Sequence, residues 1–164
     1  MRKSALSWIL GLASLLSGQN SGTSLTIVVK PEAHVSPTAA QLVFHVASPG
    51  VAATSEPVAF TAWVRSLPGQ EIHLTARALR LTGPQGDAPV SALRWSGALA
   101  AAKGGAQGAT CLSGTFANGA DQPLIGGWRE SGIATCSTTF ALTTDSSWPE
   151  GDYFGQIQLD LSVR

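Results

Sequence analysis

The chain has 164 residues, 10 Lys+Arg against 10 Asp+Glu, and only 12% charged residues, about half the usual share of a soluble domain. No basic surplus exists to carry a phosphate-binding surface, which argues against a nucleic-acid binder, and an apolar share of 44% with so little charge argues against a disordered tail. Two cysteines are too few for a cysteine-rich mini-protein or a four-cysteine zinc site, and the length suits one domain with its own core.

Met1-Arg2-Lys3 is a basic start, Ala5 to Leu16 is an apolar run, and Ser17-Gly18-Gln19-Asn20 is small and polar. This is the order of a secretory signal, and the run is too short to span a bilayer as a helix. Residues 1–22 are therefore read as a leader cut between Gly18 and Ser24, with a short uncut anchor as the alternative. Residues 23–164 form the mature domain. Losing Arg2 and Lys3 leaves it at about −2. No other apolar stretch is long enough to cross a membrane, and the address is export: periplasmic, cell-surface or extracellular.

From there the pattern is strands and turns. Ser24 to Lys30 is β-branched and stops at Pro31, with Leu25, Ile27 and Val29 on one parity. Gln41 to Ala47 puts Leu42, Phe44 and Val46 on one face. Val58 to Arg65 alternates Val58, Phe60, Ala62 and Val64 against Ala59, Thr61, Trp63 and Arg65. Glu71 to Thr82 alternates over a longer stretch, its phase blurring near Leu79. Ala92 to Lys103 reads as a strand through Leu93, Trp95, Gly97 and Leu99, with a helical turn at Leu99 to Lys103 left open. Ile133 to Thr143 carries Cys136, Phe140 and Leu142 on one parity. Ile157, Leu159, Leu161 and Val163 alternate with Gln156, Gln158, Asp160 and Ser162, the mark of a half-buried strand. Turn signals at Ser48-Pro49-Gly50, Leu67-Pro68-Gly69, Gly83-Pro84-Gln85-Gly86 and Pro149-Glu150-Gly151 separate these runs. The expected fold is all-β: an antiparallel, immunoglobulin-like β-sandwich.

Gly104 to Gly132 is long, Gly-rich and weakly periodic, and holds Cys111 and Trp128. Short strands around Thr110 to Phe116 would shorten it. In an exported chain, two cysteines imply one Cys111–Cys136 disulfide stapling this insert. A free thiol pair is the weaker reading, since no Cys-x-x-Cys is present.

Trp63, Trp128 and Trp148 are the candidate ligand or partner contacts. Trp63 lies opposite the Val58/Phe60 face, so it packs on the second sheet or outside. Trp128 and Trp148 lie in loops, where an indole either stacks on a sugar or fills a partner's pocket, or else plugs an end of the sandwich. His34, His45 and His73 share no metal-ligand spacing, although strand placement could join His45 and His73. Asp145, Glu150 and Asp152 cluster at one turn without the ligand order of a calcium loop. No metal or cofactor is expected. Nucleophile-elbow, phosphate-loop and metalloprotease motifs are absent from the sequence, and the chain reads as non-enzymatic.

Pro149-Glu150-Gly151-Asp152-Tyr153 and the alternating strand after it resemble the ending of exported bacterial β-sandwich domains, namely pilin-like and spore-coat-protein-U-like subunits and immunoglobulin-like surface modules. The Gly151-x-Tyr153 step is also similar to a tyrosine corner, which implies that the Tyr153 hydroxyl bonds the backbone a few residues upstream. The final strand is complete, unlike that of usher-type pilins. Two functions follow as expectations. One is a structural or interaction subunit, with protein partners or self-assembly; in its sharper form Leu25, Ile27 and Val29 pair with a neighbour's open edge, the favoured alternative being that this strand pairs within its own sandwich. The other is a module that binds a ligand, a carbohydrate above all, through its tryptophans.

Overall fold

A computed structural model describes residues 32–39 and 41–164. The leader and the strand expected over 24–30 lie outside the described residues. Among the described residues, twelve strands form two antiparallel sheets. In chain order they are β1 (Glu32–Pro37), β2 (Leu42–Val46), β3 (Ala53–Thr54), β4 (Val58–Arg65), β5 (Ile72–Gly83), β6 (Gly86–Ala88), β7 (Leu93–Gly104), β8 (Thr110–Cys111), β9 (Gly114–Thr115), β10 (Gln122–Gly126), β11 (Gly132–Leu142) and β12 (Gly151–Val163). The first sheet runs β1-β4-β11-β7-β9, with β3 also on β11. The second runs β2-β12-β5-β10-β8, with β6 on β5. Together they make the expected β-sandwich.

The alternation in the sequence is the alternation of faces. Val58, Phe60, Ala62 and Val64 of β4 are buried while the residues between them are not, and β11 repeats the pattern through Ala134, Cys136, Thr138, Phe140 and Leu142. Period-2 side chains leave one side of each strand for the core. There Phe140 stands edge-on to Phe60 at 6.2 Å and stacks with Phe116 at 6.4 Å, and Phe116 leans on Trp95 at 4.6 Å. This aromatic row ties β4, β7, β11 and the segment after β9 into one core.

The blurred phase in β5 is a β-bulge. Gln156 of β12 faces Arg80 and Ile157 faces Ala78, so Leu79 has no partner in register. The extra residue turns Leu79 out to 55% exposure while Leu81 returns to the core. Between Ala92 and Lys103 the strand reading is correct and the helical turn is absent. Ala100 is a second bulge there, because Thr135 pairs with Ala101 and Cys136 with Leu99. A short 3-10 turn follows at Gly105–Gly108.

The Gly-rich insert is less irregular than its composition suggests. β8 and β10 extend the second sheet, β9 extends the first, and the Cys111–Cys136 disulfide joins β8 to β11 across the sandwich with Cα atoms 5.9 Å apart. β10 and β1 carry no clear alternation and are not evident in the sequence. The chain changes sheet between β1 and β2. β1 pairs with β4, from Glu32 opposite Arg65 to Pro37 opposite Phe60, and β2 then pairs with the other sheet, from Leu42 opposite Gly155 to Val46 opposite Gly151.

Candidate functional site

The change of sheet leaves β12 half covered. β2 accompanies β12 only from Gly151 to Gly155, whereas β5 accompanies its other edge from Phe154 to Val163. Among the described residues, Gln156–Val163 therefore has one unpaired edge, a row of main-chain donors and acceptors open to a further strand. The inward side chains there, Ile157, Leu159, Leu161 and Val163, are only half-buried, while Ile72, Leu74, Ala76 and Ala78 on neighbouring β5 are fully buried. Between this edge and β1 lies an apolar slot of about 90 Å³ lined by Pro37, Leu42, Phe60, Phe140, Ile157 and Leu159. The half-burial of the last strand was legible in its sequence. That it comes from a missing neighbour was not, because no residue of β12 records where β2 ends.

The three tryptophans fall in different environments. Trp128 is not a loop platform: it is 1% exposed. Its main-chain carbonyl accepts from Ile72 N–H at 3.1 Å and its indole N–H donates to Glu130 O at 3.1 Å, so it plugs the end of the sandwich. The tight turn that seats it holds Gly127 and Glu130 at φ of 72° and 65°. Trp148 is half-buried and stacks on Tyr153 at 5.4 Å. Tyr153 donates from its hydroxyl to Pro149 O at 3.0 Å, the bond of a tyrosine corner, and Gly151 beside it holds φ of 134°. Burial first, and then the Asp145 charge, push the Tyr153 phenol above its ordinary pKa. Trp63 points outward from β4, half-buried, with the Arg65 guanidinium 5.5 Å from its ring centroid.

No family model matches the chain, and neither a curated protein nor a solved structure matches it.

The titratable groups form pairs rather than a constellation. His45 Nδ1 and Asp152 Oδ1 meet at 2.6 Å across the β2–β12 ladder, on an exposed face. His73 sits opposite Ser162 near the far end of β12, so the strands do not bring His45 and His73 together. Arg77 binds Asp121 and Arg80 binds Asp87, and each arginine, chiefly through its hydrogen bond, holds its partner's carboxyl below the usual range. Asp145 accepts from the Ser147 hydroxyl and main-chain N–H, which lower it likewise. The acidic turn is thus held by hydrogen bonds of its own. Among the described residues no group of three or more His, Cys, Asp or Glu side chains is placed to hold a metal ion, and no helix is long and apolar enough to cross a membrane.

Proposed function

We propose that this chain is a non-enzymatic, exported structural subunit that assembles with copies of itself, residues 24–30 of one copy adding as a strand along Gln156–Val163 of the next. The observation that carries this reading is the unpaired β12 edge above its apolar slot. Strand addition satisfies the open main-chain groups, and alternate side chains fill the slot. Leu25, Ile27 and Val29 supply three apolar side chains at the right period.

A neighbouring copy is favoured over the same chain by the chemistry of the connection. Lys30-Pro31 separates the segment from β1. A tight strand reversal needs positive φ at its first central residue, which favours Gly or Asn and disfavours Lys. The residue before a proline is held extended. This chemistry favours a partner in a neighbouring copy over a turn back onto the same sandwich.

The test compares residues 23–164 with residues 32–164 by light scattering over a range of concentrations, with circular dichroism as the control for folding. The longer chain forms concentration-dependent oligomers, the shorter stays monomeric, and a peptide of residues 23–31 binds the shorter one to one. Equal masses for both chains, or a monomer at every concentration, would sink the proposal.

A further inference from the structure

The outer face of the first sheet has a composition that the second sheet's outer face lacks. Register places Trp63 of β4 beside Ile133 of β11 and Ile133 beside Lys103 of β7, one row across three strands. Arg65 stands above that row and Thr61 and Thr135 form the row below, their hydroxyls 3.1 Å apart. Trp63, Arg65, Lys103 and Ile133 line one shallow concavity of about 380 Å³.

Among the described residues Arg65, Arg94, Lys103 and Arg164 form no salt bridge, and two of these four line this concavity. Arg77, Arg80 and Arg129 each hold a carboxylate. Among the described residues, Arg65 and Lys103 hold none, although Glu32 lies opposite Arg65 in register. Instead the Arg65 guanidinium lies over the Trp63 ring, 5.5 Å from its centroid, which holds the cation against the indole. Two cations beside a half-buried indole, with Glu32 as the carboxylate opposite Arg65 in register, leave a local positive excess.

We infer that this face binds an acidic polysaccharide, a chain of uronic acid units. As Arg65 swings off the ring to meet a carboxylate, the C–H face of one sugar ring takes its place on the Trp63 indole, as apolar ring edges do on aromatic faces. Arg65 takes a carboxylate in the forked geometry that guanidinium favours. Lys103, two strand spacings or about 10 Å across the sheet, meets a carboxylate further along, and Thr61 and Thr135 offer hydroxyls between. A neutral glycan leaves both cations without partners, and an acidic peptide has no use for the flat indole. Two cations are too few to hold a nucleic-acid backbone. The inference does not depend on the assembly proposed above, which uses the opposite sheet's edge.

Titration of residues 23–164 with polygalacturonate at low and moderate salt tests it, with dextran and polyglutamate as controls. Polygalacturonate binds and perturbs tryptophan fluorescence, more weakly as salt rises, and neither control binds. Trp63→Ala weakens binding about tenfold or more, Arg65→Gln with Lys103→Gln removes it, and Arg77→Gln on the other sheet leaves it unchanged, all with unaltered circular dichroism. No binding of polygalacturonate at low salt overturns the inference. So does equal binding of polyglutamate, which would mean charge alone, or of dextran, or a Trp63→Ala variant that binds as tightly as the parent.

Discussion

The Tyr153 corner gives a prediction whose size can be worked from contacts. Gly83 ends β5 directly under the Tyr153 ring, and a Cβ at that position would overlap the ring's Cδ1, Cε1 and Cζ. Gly83→Ala therefore displaces Tyr153, and three losses follow. The hydroxyl gives up its 3.0 Å bond to Pro149 O, worth about 1 kcal/mol. The stack on Trp148 at 5.4 Å is broken, about another 1 kcal/mol. Repacking a ring that is 3% exposed adds roughly 1 kcal/mol or more of strain. The sum is about 3 kcal/mol, or roughly 10 °C in Tm for a domain of this size. Tyr153→Phe, which loses only the hydrogen bond, costs about 1 kcal/mol. Urea unfolding followed by tryptophan fluorescence measures both, and the cycle with Tyr153→Ala decides the cause. With the ring gone, adding a methyl group at Gly83 should cost less than about 0.5 kcal/mol, because the two sites act through one contact. A Gly83→Ala variant as stable as the parent, or one whose cost persists in the Tyr153→Ala background, would refute the reasoning.

Three further outcomes follow from the same structure. Replacing Cys111 and Cys136 together by Ala, which opens a loop of sequence separation 25, lowers stability by roughly 3–4 kcal/mol, read as a shift in urea midpoint against the oxidised parent. Leu79→Thr at the bulge changes stability by less than about 0.5 kcal/mol, whereas Leu81→Ala two residues on, in the core, costs about 2–5 kcal/mol; equal costs would mean the bulge is misplaced. Asp87, Asp121 and Asp145 all have folded pKa values below the usual range. Lowered carboxylates add stability above their unfolded pKa, near 4, and withdraw it as pH falls through the folded values. The urea midpoint is therefore flat from about pH 7 to pH 5 and falls below about pH 4, less steeply in an Asp121→Asn variant.

What the sequence makes legible follows from which forces act locally. β4, β11 and β12 are buried on one face, so each writes its fold into its own alternation. Pairing Cys111 with Cys136 needed only a count and a compartment. β1 is different. It is an exposed edge strand, Glu32–Pro37, whose partners lie 23 to 33 residues on in β4, from Phe60 opposite Pro37 to Arg65 opposite Glu32, and nothing in its composition demands a strand. Trp128 stays open between plug and platform in the sequence for the converse reason. Its neighbours Gly127, Arg129 and Glu130 have the composition of a loop, and what holds the buried indole comes from the tertiary structure: Ile72 N–H on its carbonyl and Glu130 O on its indole N–H. Leu79 shows a middle case, where the broken alternation was visible in the sequence and its cause needed the register of β12. The unpaired edge of Gln156–Val163 was invisible for a general reason: the absence of a neighbour is a property of the chain's path, not of the strand left without one.

That path also explains why one edge differs from the others. Natural sheets protect their edges by keeping them short, charged or interrupted by proline. β8 and β9 are two residues each, and the disulfide pins β8 to the opposite sheet. β1 is polar, carries Glu32 and His34, and ends at Pro37, which has no N–H to offer. β2 is five residues long and sets the exposed His45–Asp152 pair on the ladder it shares with β12. Among the described residues, only the second half of β12 combines length, alternation and half-buried apolar side chains with no strand paired on its open side. If residues 24–30 fill a neighbour's edge, each copy carries one donor strand and one acceptor edge. A head-to-tail contact of that kind closes on itself only if its rotation does, and otherwise builds an open array. The covalently stapled side of the sandwich then has a specific consequence: growth by strand addition proceeds along one edge and cannot spread through the side closed by β8, β9 and the Cys111–Cys136 link.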